Sequence, residues 1–151
     1  MLLERLSPRV VNDPLMSEGY DIWTPTLRIA RPTDDIEALL PFYVDGLGFQ
    51  VLTRFEDPQG FSGIVLGHPG QAYHLEFTRH EGMKAGRAPT KDNLLVLYLP
   101  QRLAYQAAIG AMVEAGFKPV QSYNPYWEQY GKTFEDPDGY RVVLANKNWD
   151  R

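Results

Sequence analysis

Apolar and polar positions alternate from Thr24 to Ala30, with Leu27 and Ile29 on one side and Thr24, Thr26 and Arg28 on the other. That is the period of a strand with one buried face. Strand signals begin at Ile22, and Arg31-Pro32-Thr33 closes the run. The spacing then changes: Ile36, Leu39, Leu40, Tyr43 and Leu47 recur at helical intervals, which predicts a helix over Asp35 to Leu47. Asp34 followed by Glu37 reads as a capping box, Gly48 as the residue just past the helix end, and Pro41 as an internal kink. Three strand-like runs follow, Gln50 to Phe55, Gly63 to Gly67 and Ala72 to Arg79. They are separated by the turn segments Asp57-Pro58-Gln59-Gly60 and His68-Pro69-Gly70.

The order then repeats. Leu94 to Leu99 reads as a strand ended by Pro100. Gln101 to Ala115 reads as a helix, with Ala104, Ala107, Ala108, Ala111 and Ala115 as its core stripe. Pro119 to Tyr123, Gln129 to Glu135 and Tyr140 to Asn146 read as three more strands, the last two joined through Asp136-Pro137-Asp138-Gly139. The pairs Pro32–Pro100 and Gly48–Gly116 share one sequence offset, the mark of an internal duplication. The expected organisation is an N-terminal arm (1–21), a βαβββ module (22–80), a polar linker (81–91) and a second βαβββ module (92–151), one domain overall. The fold class is α+β, with two tandem modules forming a cup-shaped pseudo-barrel. One helix covers one face of each sheet, and the other faces curl toward each other around a pocket.

Composition narrows the function classes. The chain has 151 residues, enough for one domain with a sizeable core. Its formal net charge of −4 and scattered basic residues argue against a nucleic-acid partner. The cysteine count of 0 excludes disulfides, thiolate nucleophiles and cysteine-ligated zinc, and fits a cytoplasmic setting. Met1 to Ser17 lacks the apolar block of a signal peptide, and no apolar run is long enough to span a membrane.

Phe42-Tyr43, Leu47-Gly48-Phe49 and Glu135-Asp136-Pro137-Asp138-Gly139, in this order within two βαβββ halves, resemble the vicinal oxygen chelate superfamily. That superfamily includes glyoxalase I, extradiol dioxygenases, fosfomycin-resistance enzymes and bleomycin-resistance proteins. The resemblance covers Ile22 to Trp149 and implies a divalent metal held by His, Glu or Gln side chains from four strands. Nitrogen and oxygen ligands of that kind leave open positions for two adjacent substrate oxygens. Carried over position by position, the carboxylate on the last strand of the first module falls on Glu76. Its counterpart in the second module falls on Val143, and the first-strand ligand of the second module falls on Leu94, with Asp92 the nearest oxygen ligand. The inward candidates of the first strand are Thr24, Thr26 and Arg28. The resemblance also implies a homodimer.

His74 and Glu76, two apart on one strand, point to the same side. They read as ligand contacts, as two members of a metal site with Asp92, or as an ion-paired cluster in which Glu76 meets Arg28 or Arg141. Arg28 and Arg141 can receive an anionic ligand through their forked donors. Tyr98 can orient a ligand, and Tyr123, Tyr126, Trp127 and Tyr130 can form a stacking wall or pack against another surface. His68 and His80 read as solvated. The expected function is small-molecule binding in a cup with a degenerate metal site, through His74, Glu76, Arg28, Thr24, Thr26, Tyr98, Arg141 and Trp127. No cofactor is expected. The alternatives are a metal-dependent lyase, isomerase or dioxygenase of the glyoxalase type, and a metal-free enzyme with Glu76 as general base.

Overall fold

The computed structural model describes residues 24–150; the expected N-terminal arm lies outside them. The chain forms β1 (Leu27–Pro32), α1 (Ile36–Leu40), β2 (Gln50–Glu56), β3 (Phe61–Gly67), β4 (Tyr73–His80), β5 (Leu94–Tyr98), α2 (Arg102–Glu114), α3 (Pro125–Tyr130), β6 (Gly131–Glu135) and β7 (Arg141–Ala145). Two mixed sheets result, in the strand orders β1-β4-β3-β2 and β5-β7-β6. β1 runs parallel to β4 and β5 parallel to β7; the other neighbours are antiparallel. This is an α+β fold in which strand, helix and returning strands recur in each half. The first strand is shifted from expectation, pairing over Leu27–Pro32 rather than Thr24 to Ala30.

The first helix begins at Asp35, not Asp34. Asp35 is extended (φ −148°, ψ 98°) and its side chain accepts from the Ala38 N–H. Asp34 instead accepts from the Ala85 and Gly86 N–H groups at 2.7 and 2.9 Å, pinning the connection between the halves. At Pro41 the helix does not break. It widens into a π-helical segment (Pro41–Gly46), shown by the Leu47 N–H donating five residues back to the Phe42 carbonyl at 2.9 Å. Gly48 ends it with φ +78°, as its place in the sequence predicts.

The second half departs further. Pro119 to Tyr123 contributes only an isolated bridge, Val120 to Thr133, and no strand. The predicted strand from Gln129 starts at Gly131, because Asn124 caps a short helix with Pro125 in its first turn. The alanine stripe of α2 is also corrected. Ala104 and Ala107 are exposed, and the helix packs through Met112 with Tyr105, Ala108 and Ile109. Aromatic and branched side chains reach deeper into the core than methyl groups, so they set the helix rotation.

One core serves both halves, joining Leu39, Phe42, Tyr43, Ile64, Leu66, Leu75 and Phe77 to Met112, Phe134, Val142 and Leu144. The helices meet where Gly46 lies against Met112; a Cβ there would be 2.6 Å from its Sδ. The strand residues of this cluster alternate with His74, Glu76 and Thr78 on β4 and with Arg141 and Val143 on β7. In each sheet one face therefore turns to the shared core and the other away from it.

Candidate functional site

The face of the first sheet turned away from the core gathers three of the expected residues. Arg28 lies directly opposite His74 in the parallel β1–β4 register, and Ala30 lies opposite Glu76. The Arg28 Nε–H donates to His74 Nδ1 at 3.3 Å, and Arg28 Nη1 lies 3.9 Å from Glu76 Oε1. The Arg28 side chain is 49% exposed and that of Glu76 14%. This is the cluster in which Glu76 meets Arg28; Arg141 takes no part in it. Thr24 and Thr26 lie in the exposed segment leading into β1. Asp92 sits in an exposed turn, its N–H donating to Thr90 Oγ1 at 3.1 Å.

The same face of the second sheet is covered. Arg141 is buried, with Nη1 donating to the Gln121 carbonyl at 3.0 Å and Nε to Glu135 at 3.4 Å. Glu135 and Arg141 are directly opposite in the β6–β7 register, so the pair is a cross-strand contact. Ser122 and Thr133 share a buried hydroxyl–hydroxyl hydrogen bond of 2.7 Å. The Ser122 N–H donates to Glu128 at 2.6 Å and holds that carboxyl below its ordinary range. Trp127 packs near Tyr98 (6.4 Å between rings) and against Tyr126, while Lys147 lies over the Tyr130 ring. Tyr126, Trp127 and Tyr130 thus contact one another around α3, whereas Tyr123 is 65% exposed.

A polar bridge ties the halves together behind both faces. The Tyr43 hydroxyl donates to Asp136 Oδ2 at 2.6 Å, and Asp136 Oδ1 accepts from the Asp138 and Tyr140 N–H groups. Thr33 Oγ1 donates to Asp138 Oδ2 at 2.7 Å, and Arg31 stacks on the Tyr140 ring at 3.7 Å. Burial raises the Asp136 carboxyl above its ordinary value, against the lowering effect of the Tyr43 hydrogen bond. Burial, followed by the Asp136 charge, pushes the Tyr43 phenol well above its usual range. No sequence signal pairs these residues, although both belong to motifs that carry the superfamily resemblance.

Between the halves runs an apolar cleft, ≈ 450 Å³ at its wider part, lined by Phe49, Tyr73, Leu97, Tyr98 and Leu144. It includes none of Arg28, His74 and Glu76. His68, expected in solvent, lines this cleft and tilts against Phe49. His80 stays partly exposed and stacks on the exposed Phe61 with ring centres 3.9 Å apart.

Comparison with known proteins completes the picture. The YycE-like N-terminal domain matches residues 27–78 and the YycE-like C-terminal domain residues 92–146. An uncharacterized protein of Bacillus subtilis, YycE, is 40% identical over 120 residues, which is 80% of this chain and 86% of that protein. The chain belongs to the YycE-like family. The crystal structure of the B. subtilis YycE protein, of unknown function and placed among glyoxalase/fosfomycin resistance proteins, superposes with a TM-score of 0.74 at 38% identity. That match covers 83% of this chain and 91% of that one. More remote structures share the fold alone. The trypanothione-dependent glyoxalase I of Leishmania major gives 0.62 at 19% identity, covering 81% and 86% of the two chains. The antibiotic-binding protein TnmS3 of a Streptomyces species gives 0.57 at 21% identity, covering 83% and 98%. The YycE-like chain is thus a member of the vicinal oxygen chelate superfamily.

The metal implied by that superfamily does not fit the residues of this YycE-like chain. Leu94 and Val143 offer no donor atom, and Val143 is fully buried. Glu76 is present, but its nearest charged neighbour is the Arg28 guanidinium, which would repel a divalent cation. Among the described residues, no group of three or more His, Asp or Glu side chains is placed to hold a metal ion. Structural and catalytic sites usually need at least three protein ligands.

Proposed function

We propose that this YycE-like protein binds a small molecule on the open face of its first sheet, without the divalent metal of its superfamily. The observation that carries the reading is the Arg28–His74–Glu76 cluster, whose donors and acceptors converge on a face that no helix among the described residues covers. Glu76 is the one position of the superfamily's metal set with a ligating side chain. Here it is left as an acceptor for a ligand proton rather than for a cation. The fold it shares with an antibiotic-binding Streptomyces protein is compatible with binding as the whole function; fold by itself does not assign one.

The test has two arms on the full-length chain. In the first, the protein is reloaded anaerobically with zinc, nickel, manganese and ferrous iron, and metal is counted per chain by mass spectrometry. In the second, a compound library is screened by thermal shift on wild type and on Glu76→Gln. A ligand at a hundred times its Kd stabilises by about 2.7 kcal/mol, which a melting curve resolves easily. The reading expects metal well below one per chain, and ligands whose stabilisation is lost in Glu76→Gln while its unliganded melting temperature is nearly unchanged. One metal per chain that disappears in Glu76→Ala overturns it.

A further inference from the structure

We infer that the Arg28 guanidinium supplies the positive charge a metal would supply in this fold, and that the ligand is a small carboxylate bearing an adjacent hydroxyl or ammonium group. The inference rests on the proposed function and names the ligand class of the same site. Its first support is a donor count. A guanidinium carries five N–H donors in a rigid fork. The Arg28 Nε–H is taken by His74 Nδ1 at 3.3 Å, and the 3.9 Å approach of Nη1 to Glu76 is too long for a hydrogen bond. The two Nη groups thus have no hydrogen-bond acceptor among the described residues, and the side chain is half exposed. Their outer edge matches a carboxylate in bidentate geometry.

The second support is the state in which the fork is held. The His74 bond fixes the Nε side, so the fork is oriented before a ligand arrives, which limits the ordering cost of binding. The same bond requires a bare His74 Nδ1, which leaves the proton of the neutral ring on Nε2 as one more donor. The contact with Glu76 is 3.9 Å long and the guanidinium is half exposed, so a ligand carboxylate displaces no hydrogen bond by taking the free edge.

The third support is charge. The cluster holds one guanidinium and one carboxylate. A simple anion meets the first and is repelled by the second, whereas an acid with a neighbouring O–H or N–H satisfies both. Glu76 lies between Ala30 on β1 and Val65 on β3, and its side chain keeps 14% exposure beside the Arg28 fork. On a chain of net charge −4, recognition of an anion has to come from such a local cation.

The experiment is an NMR titration of the full-length protein, following the Arg28 Nε–H and His74 ring signals. The probes are mandelate and phenylglycine, with mandelamide (no anion) and phenylacetate (no adjacent donor) as controls. Mandelate and phenylglycine are expected to shift both signals, with mandelamide roughly 10-fold weaker or worse, as the loss of a charge-assisted hydrogen bond implies. Arg28→Gln should weaken mandelate by a similar factor, and Arg28→Lys, which keeps charge without the fork, should fall between. Glu76→Gln should erase the preference for mandelate over phenylacetate. Equal binding of mandelamide and mandelate, or mandelate binding unaffected in Arg28→Gln, overturns the inference. If neutral compounds then still bind through Glu76, the proposed function survives; if nothing binds through Glu76, both fall together.

Discussion

Removing one hydroxyl from the bridge between the halves should have a cost that depends on pH. In Tyr43→Phe, Asp136 Oδ2 loses the donor now 2.6 Å away, while Oδ1 keeps the N–H groups of Asp138 and Tyr140. Asp136 is only 4% exposed and Tyr43 fully buried, so water cannot replace the lost bond without opening the packing. A hydrogen bond to a charged, buried acceptor of this kind contributes about 1.5–3 kcal/mol. For a chain of this size that corresponds to a fall in melting temperature of roughly 3–12 °C. The native Asp136 pKa is raised above 3.8 by burial, and the Tyr43 bond holds it down. A raised native pKa means that the folded state binds more protons than the unfolded chain, so this group's contribution to stability falls as pH rises through that interval. Without Tyr43 the native pKa climbs further, and the variant regains stability relative to wild type as pH falls from 7 toward 4. Urea unfolding of both proteins across that range is the assay, with Asp136→Asn as a comparison that removes the titrating group, so that its deficit relative to wild type should grow, not shrink, as pH falls. A Tyr43→Phe deficit below about 0.5 kcal/mol at pH 7, within the range of ordinary surface substitutions, or one that grows on acidification, would refute the reasoning.

Two further perturbations test the framework. Asp34→Ala should speed amide hydrogen exchange at Ala85 and Gly86 roughly 10-fold or more, since their acceptor is gone, while Ala38, held by Asp35, stays protected; acceleration at Ala38 instead would return Asp34 to the helix cap. Gly131→Ala places a Cβ against the Leu144 carbonyl and should cost about 3 kcal/mol or more, or abolish soluble expression; a melting temperature within a degree or two of wild type would show that β6 and β7 separate more readily than their pairing implies.

What could be read along the chain was what short-range spacing encodes. The α1 stripe, Gly48 and the β6–β7 turn depend on residues a few positions apart, and each stands where it was expected. Pro41 signalled a disturbance, but the form it took, a wider turn rather than a bend, depends on packing against α2. Asp34 and Asp35 are equally good caps locally, and the choice was made by Ala85 and Gly86, some 50 residues away. The signal for α3 was present in Asn124-Pro125, a capping residue followed by proline, but the aromatic run after it masks a helix of only six residues. Within the site, strand alternation places His74 and Glu76 together. The register of β1 on β4 then selects Arg28 as their neighbour, while burial under 121–128 removes Arg141. Neither register nor burial is written in local periodicity.

The covering of the second sheet by α3 and the segment before it has a consequence for how the duplicated halves can change. Substitutions around Arg141, Ser122 or Thr133 disturb buried hydrogen bonds that hold the covering in place, and are filtered first by folding. Arg28 is half exposed, so if the proposed ligand binds there, a new side chain at that position would alter recognition at little cost to the core. On that reading one copy of the repeat is the foundation and the other the workbench. New ligand preferences in this lineage should therefore arise by substitution in the first half, against a second half that stays nearly fixed.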